Sequence, residues 1–334
     1  MAIILTGDRP TGPLHLGHYI GSLKNRVELQ NEHTQYLLIA DNQALTDNMG
    51  NPMKVRDNII EVAKDYIASG IDPLKTTICV QSHLQAVSEL TLLYMNFVTV
   101  SRLERNPTIR DELKSKNFGR DIPAGFLAYP VGQAADITAF KASLVPVGED
   151  QSPLIEQANE IVKKVNKQAG KVILPEIKSL IPTIGRLPSL DGKSKMSKSL
   201  GNTITLYSSN DEITKAVRAM FTDPTHIKVS DPGKVEGNVV FTYLDAFDTN
   251  VEELNALKEH YILGGLGDSV IKKRLTEILI ETLTPIREKR LQLNNEHEYV
   301  LNVLKQGTDV AKEVTQINLN EIKRHLNMFS FGFN

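Results

Sequence analysis

The 334-residue chain contains no tryptophan and a single cysteine, Cys79. One thiol excludes an intramolecular disulfide and leaves a cysteine-based zinc cluster without ligands. An excess of one charge is also missing: 38 Lys and Arg stand against 40 Asp and Glu, a net of −2. Contact with nucleic acid must therefore come from a local basic face rather than from overall charge. No stretch approaches the roughly 20 consecutive apolar residues of a membrane span. The opening run Met1 to Gly7 is too short for a signal peptide and has no basic segment before it. A cytoplasmic protein with no membrane partner is expected. There is no internal repeat and no low-complexity tract.

What is present is typical of a folded protein: 41% hydrophobic and 23% charged residues. This length predicts one large domain or two ordinary ones, with a core that needs no staples. Short apolar runs at Ala2–Thr6, Tyr36–Ala40, Thr76–Val80 and Leu144–Val147 read as buried strands. Between them lie helical patterns. Leu16, Ile20, Leu23 and Val27 share one face, and Val55–Ser69 and Ser152–Gln168 are amphipathic, the latter with Pro153 near its start. Strands alternating with helices predict an α/β fold, a Rossmann-like doubly wound parallel sheet. Arg105–Pro123 is polar and reads as a basic surface loop. After Gly192 the pattern becomes helical, with a capping box at Ser209–Glu212. Helices are expected over Val251–Tyr261, Ser269–Leu283 and Val310–Asn327, with a kink or break at Pro285. Val239–Tyr243 is the last strand candidate. The expected organisation is a catalytic domain over 1–192 with a helical insertion, a loop over 193–204, and a smaller all-α domain over 205–334.

Two motifs carry chemistry. Gly7-Asp8-Arg9-Pro10-Thr11-Gly12-Pro13-Leu14-His15-Leu16-Gly17-His18 follows the first strand, at the carboxyl edge where open α/β sheets bind ligands. The helix beginning there offers unpaired N–H groups to phosphates, and His15 and His18 can add imidazole donors. It is neither a Walker A loop nor G-x-G-x-x-G. Alone it is a weak signal, because two histidines at this spacing more often sit on a surface, and no companion ligands suggest a metal site. The second motif, Lys195-Met196-Ser197-Lys198-Ser199, places two ammonium groups in a short loop. Such lysines can neutralise charge that develops on a departing pyrophosphate. A Lys/Ser loop alone is usually solvated surface. The two motifs together, separated by a plausible α/β domain, specify one cleft.

Together they resemble the HIGH and KMSKS signatures of class I aminoacyl-tRNA synthetases. With Ala40–Thr46, Tyr129–Asp136, Val145–Gln151 and Asp191–Asn202, the whole chain resembles the tryptophanyl members of that family. The resemblance implies a Rossmann catalytic domain, a helical anticodon-binding domain and a homodimer. It implies ATP and Mg²⁺ as cofactors, and L-tryptophan and tRNA(Trp) as substrate and partner. Arg9, Pro10, Thr11, Gly17 and His18 would contact ATP. Gly148, Glu149 and Asp150 would hold its ribose and adenine, with Leu187 near the adenine. His15, His18, Lys195 and Lys198 would be catalytic, and Met196, Ser197 and Ser199 would complete the ATP loop. Asp136 would accept the indole N–H, while Tyr129 and Gln151 would hold the substrate ammonium. No protein-held metal is implied. Two positions depart from the commoner bacterial pattern: Gln133 stands where methionine is usual, and Gln43 where histidine is frequent. Tyr129-x-x-x-Gln133-x-x-Asp136 also resembles a tyrosyl-tRNA synthetase pocket, so that enzyme remains an alternative. A small nucleotidyltransferase and a non-catalytic RNA-binding paralogue are more distant ones. Lys272, Lys273, Arg274, Arg287, Lys289 and Arg290 are candidate phosphate contacts in the helical domain.

Overall fold

The structure, a computed structural model, describes residues 1–116, 118–119, 121–148, 151–181, 187–192, 196 and 201–329. The chain forms two compact units, one of residues 1–12, 25–182 and 296–334, the other of 13–24 and 183–295.

The first unit is built on five parallel strands: β1 (Ile3–Asp8), β2 (Thr34–Ile39), β3 (Thr76–Val80), β4 (Leu144–Pro146) and β5 (Lys178–Leu180). Their spatial order is β3-β2-β1-β4-β5. The order in which the chain adds strands therefore reverses between β1 and β4, the kind of switch point at which doubly wound sheets bind ligands. β2 is buried along nearly its whole length, as a strand covered on both faces must be. Gly7 is dictated by close packing: a Cβ there would lie 2.0 Å from the Leu38 carbonyl oxygen of β2.

Helices follow the strands. α3 (Asp41–Leu45) and α4 (Pro52–Ala68) come after β2, with Asn51 capping α4 and Pro52 in its first turn. A 3₁₀ turn at Gln81–His83 and α5 (Gln85–Met95) come after β3, followed by α6 (Val100–Glu104), α7 (Pro107–Lys116) and α8 (Ala124–Ala139). α9 (Ser152–Ala169) links β4 to β5 and ends on Gly170 at φ 68°, the left-handed cap that glycine takes without strain. Arg105–Pro123, expected as a loop, is largely helical. Ile109 is fully buried and packs with Phe126, Tyr129 and Leu154, so one apolar anchor overrides the polar composition of α7. β5 was missed because Lys178-Ser179-Leu180 carries almost no apolar signal.

α14 (His297–His325) also belongs to this unit, although the sequence suggested a separate helical domain over 205–334. It packs on β3, where the Val80 N–H donates to Thr308 Oγ1 at 3.2 Å. Gly307 allows the approach: a Cβ there would lie 2.1 Å from the Ile78 carbonyl oxygen. Further along, Asn318 Nδ2 donates to the Ala139 carbonyl, and Lys141 pairs with Glu321 at 2.7 Å.

Among its described residues the second unit holds α1 (Leu16–His18), a π-helical turn over Tyr19–Leu23, and four longer helices: α10 (Asn210–Arg218), α11 (Val239–Phe247), α12 (Val251–Leu263) and α13 (Asp268–Asn295). The helix begun at Leu16 continues as α2 (Lys24–Leu29), where the chain re-enters the first unit. The expected capping box opens α10: Ser209 Oγ accepts from the Glu212 N–H, and Glu212 returns a bond to the Ser209 N–H. Two differences from the sequence reading stand here. Val239–Tyr243 is helix, capped by Asn238 and buried on most sides, and a helix buried all round has no periodicity to betray it. α13 runs unbroken through Pro285.

Candidate active site

The first unit contains a cavity of about 260 Å³. It opens at the carboxyl ends of β2 and β3, where Asn42, Gln43 and Thr46 come from α3 or the residue after it and Gln81 follows β3. α5 adds Val87, Ser88, Thr91 and Met95. α8 adds Gly125, Ala128, Tyr129, Gly132, Gln133 and Asp136. Four of the expected substrate residues therefore meet here: Gln43, Tyr129, Gln133 and Asp136. Gln151, the fifth, stands at the N-cap of α9, its N–H bonded to the Gly148 carbonyl at 3.0 Å.

Among the described residues that line the cavity, Asp136 is the one acidic group and none is a cation. Asp136 is 4% exposed. Burial pushes its carboxyl up to about 7, the Gln81 hydrogen bond pulls it down, and the charge of Asp41 pushes it up. Gln81 Nε2 donates to both carboxylate oxygens, at 2.8 and 2.9 Å. Gln133 Oε1 is buried and has no hydrogen-bond donor. A buried acceptor without a donor is costly, and a ligand N–H entering this cavity would relieve that cost.

Tyr129 Oη donates to Glu112 Oε2 of α7 at 2.9 Å. Beside it, Arg9 and Lys116 share the Asp47 carboxylate, Lys116 at 2.5 Å. Burial pulls the Arg9 guanidinium below its ordinary value, and Glu112 and Tyr129 push it back. Arg9 therefore follows β1 as a cation held by a carboxylate, with its Nε buried and unpartnered. Pro10 is buried, and the Thr11 N–H bonds back to the Arg9 carbonyl at 2.8 Å. Asp47, Gln81 and Glu112 were missed in the sequence. Gln81 alone had a signal, since it directly follows an apolar strand at the sheet edge that binds ligands.

In the second unit the two motifs touch. His15 caps α1: its Nδ1 accepts the Gly17 N–H at 3.1 Å, and its own N–H donates to His18 Nδ1 at 3.2 Å. The two rings lie 3.8 Å apart. The histidines thus build the turn as well as line it. A Cβ on Gly17 would lie 2.9 Å from both the His15 ring and the Met196 sulfur. Met196 Sδ also accepts from Thr203 Oγ1 at 3.7 Å, and Leu16 and Leu206 bond across to Ile204 and Leu14. Leu187 is buried in this unit. Lys195, Ser197, Lys198, Ser199, Glu149 and Asp150 lie outside the described residues.

The basic candidates on α13 are mostly committed elsewhere. Arg290 is 4% exposed and lies over the Tyr207 ring. Arg274 pairs with Asp248 and Glu253, Lys272 caps the carbonyls of Arg218 and Met220, and Arg287 holds Ser208 and Asn210. Lys273 and Lys289 make weaker contacts, at 3.8 Å to Glu277 and 3.5 Å to Gln292.

The chain is similar to known proteins over its whole length. The family model described as tRNA synthetases class I (W and Y) matches residues 1–284. The tryptophan–tRNA ligase of Clostridium longisporum is 58% identical over 334 residues, spanning 99% of this chain and 98% of that protein. That of Streptococcus agalactiae serotype V is 51% identical, spanning 98% of both. The solved tryptophanyl-tRNA synthetase of Campylobacter jejuni, complexed with ADP and tryptophan, has a TM-score of 0.83 at 29% identity, covering 98% of this chain and 100% of its own. The Mycoplasma pneumoniae enzyme has a TM-score of 0.85 at 25% identity, with both chains fully covered. With relatives more than half identical over almost their whole length, the chain belongs to the tryptophan–tRNA ligases, within the class I tRNA synthetases of tryptophan and tyrosine.

Proposed function

We propose that the 260 Å³ cavity is the tryptophan side-chain pocket of a two-step ligase. The observation that carries this reading is the cavity wall: a buried carboxylate that one amide only partly satisfies, with no cation among the described lining residues. Such a wall suits a neutral ring that brings one N–H donor. Asp136 accepts the indole N–H, Gln133 and Gln43 line the ring, and Tyr129 and Gln151 hold the substrate ammonium. The Campylobacter jejuni enzyme, solved in complex with tryptophan and ADP, supports the ligand class.

In the first step the tryptophan carboxylate attacks the α-phosphate of ATP. The new bond is P–O, the bond broken is that between the α-phosphorus and the bridging oxygen, and pyrophosphate leaves with the electron pair. The terminal adenosine of tRNA(Trp) then attacks the adenylate and releases AMP. Little covalent chemistry is asked of the chain, which supplies positioning and charge. Arg9, Pro10, Thr11, Gly17, His18, Gly148, Glu149, Asp150 and Leu187 hold ATP, and His15 shapes the turn. Lys195 and Lys198, flanking Met196 and Ser197 and followed by Ser199, neutralise the leaving pyrophosphate. Mg²⁺ is proposed to sit mainly on the ATP phosphates with several waters retained, where it would screen their charge.

The helices of the second unit are proposed to read the anticodon, with Lys273 and Lys289 best placed to meet phosphate. A homodimer is proposed as well, supported by Leu92 at 67% and Val100 at 61% exposure on α5 and α6. Among the described residues no helix is long and apolar enough to cross a membrane. A cytoplasmic location is proposed from the activity itself, which needs the tRNA pool. ATP–pyrophosphate exchange measured across all amino acids tests the assignment. Tryptophan should support exchange and tyrosine should not, and equal exchange with tyrosine would sink the tryptophan pocket.

A further inference from the structure

Gln81 occupies the first position of the 3₁₀ turn after β3 and is 6% exposed. Its amide is fixed at both ends. Oε1 accepts the Gln43 backbone N–H at 3.0 Å, and Nε2 donates to both oxygens of Asp136. Turning the amide over would set its oxygen against the carboxylate and its NH₂ against an N–H, so the network itself decides the orientation. Among the described residues Gln81 is the one donor that reaches this carboxylate, and no cation pairs with it. An ionised carboxylate offers about four acceptor sites. The Gln81 amide occupies one side of the group, and the remaining sites are available to a ligand in the cavity that both residues line.

We propose that Gln81 is a positioning residue of the tryptophan pocket: locked by the Gln43 N–H, its amide holds the Asp136 carboxylate in place as an ionised acceptor for the substrate's ring N–H. This rests on the reading of Asp136 given above. The titratable groups facing Asp136 are Asp41 of α3, which accepts the Ser82 N–H at 2.9 Å, and Cys79 of β3, with Tyr129 on the same cavity wall. Burial and the Asp136 charge hold the Cys79 thiol well above its ordinary value, so it stays neutral near pH 7. Burial and Asp41 both favour a proton on Asp136, and the Gln81 hydrogen bond opposes it. Without Gln81 the carboxyl would keep its proton through neutral pH and lose its strength as an acceptor.

The test is the pH profile of tryptophan-dependent pyrophosphate exchange by the full-length protein, from pH 6 to 9. Gln81→Met keeps the length of the side chain and removes the donor. The acidic limb of kcat/KM for tryptophan should move up by about one pH unit, a loss of about tenfold on that limb. The loss should fall mainly on KM for tryptophan and shrink to under about threefold at pH 9. Gln81→Asn draws the donor back by one methylene and should move the limb the same way by less. In Asp136→Asn the limb should be absent, and adding Gln81→Met should move nothing. A loss that is equal at every pH, as a merely structural role would give, overturns the proposal, and so does an unmoved limb in both Gln81 variants. If Asp136→Asn keeps kcat/KM for tryptophan within about threefold, the reading of Asp136 itself falls instead.

Discussion

At the scale of the residue, Asp136 is held against its own preference. Its carboxyl titrates near 7 in the fold against an ordinary 3.8, so between those values the native state binds the proton that the unfolded chain releases. Stability contributed at this site is therefore fully present below about pH 4, declines as pH rises toward 7, and is flat above. At about 1.4 kcal/mol per unit, the ceiling on the loss is about 4 kcal/mol. Asp136→Asn carries no charge to desolvate. Its thermal midpoint should gain on the wild type as pH rises from 5 to 8, although its activity is lower than the wild type's. A constant difference in midpoint across that range would show that the buried carboxylate costs the fold nothing. Asp136 was named through the resemblance carried by Tyr129–Asp136, and the fold buries it. Gln81 was not, because a single amide between a strand and a turn has no pattern, and its role exists only once β3, α3 and α8 bring three residues together.

At the scale of the element, helices followed apolar period where one face is buried and escaped it elsewhere. α4 and α9 were legible for that reason. α11 read as a strand because nearly every position is apolar, and α7 read as a loop because nearly every position is polar. Of the kink or break expected at Pro285, the break did not occur: α13 continues through it. α14 offers a sharp test of packing against propensity. Gly→Ala inside an exposed helix stabilises by up to about 1 kcal/mol. At Gly307 the added methyl would instead run into the Ile78 backbone, and such overpacking typically costs about 1–3 kcal/mol. Gly307→Ala should therefore lower the denaturant midpoint, and a raised midpoint would mean that α14 does not sit on β3. The KMSKS element makes a different prediction. Lys195→Ala and Lys198→Ala should each lower kcat more than they raise KM for ATP, by on the order of 2–4 kcal/mol of transition-state stabilisation. Normal turnover in both variants would remove the loop from the chemistry.

At the scale of the whole molecule, the lack of tryptophan becomes an assay. With nine tyrosines and no tryptophan, excitation at the red edge of indole absorption sees only the ligand. Its emission should change on binding and saturate at no more than one tryptophan per chain. Tyrosine should displace it at a discrimination above the roughly 10–200-fold that one methylene provides, and equal displacement would fit the tyrosyl alternative. The docking of α14 has a consequence in time as well as in space. β3 is the outer strand of the sheet, and an uncovered outer strand is a template for pairing with other chains. The helix that covers it lies more than two hundred residues further along, so at about 5–20 residues per second a ribosome needs about 10–40 s to make the intervening chain. For that interval each nascent sheet stands open on one side, and neighbouring ribosomes on one message carry identical open edges. Growth conditions that slow elongation should lengthen this window, and loss of chain to aggregation should rise with it.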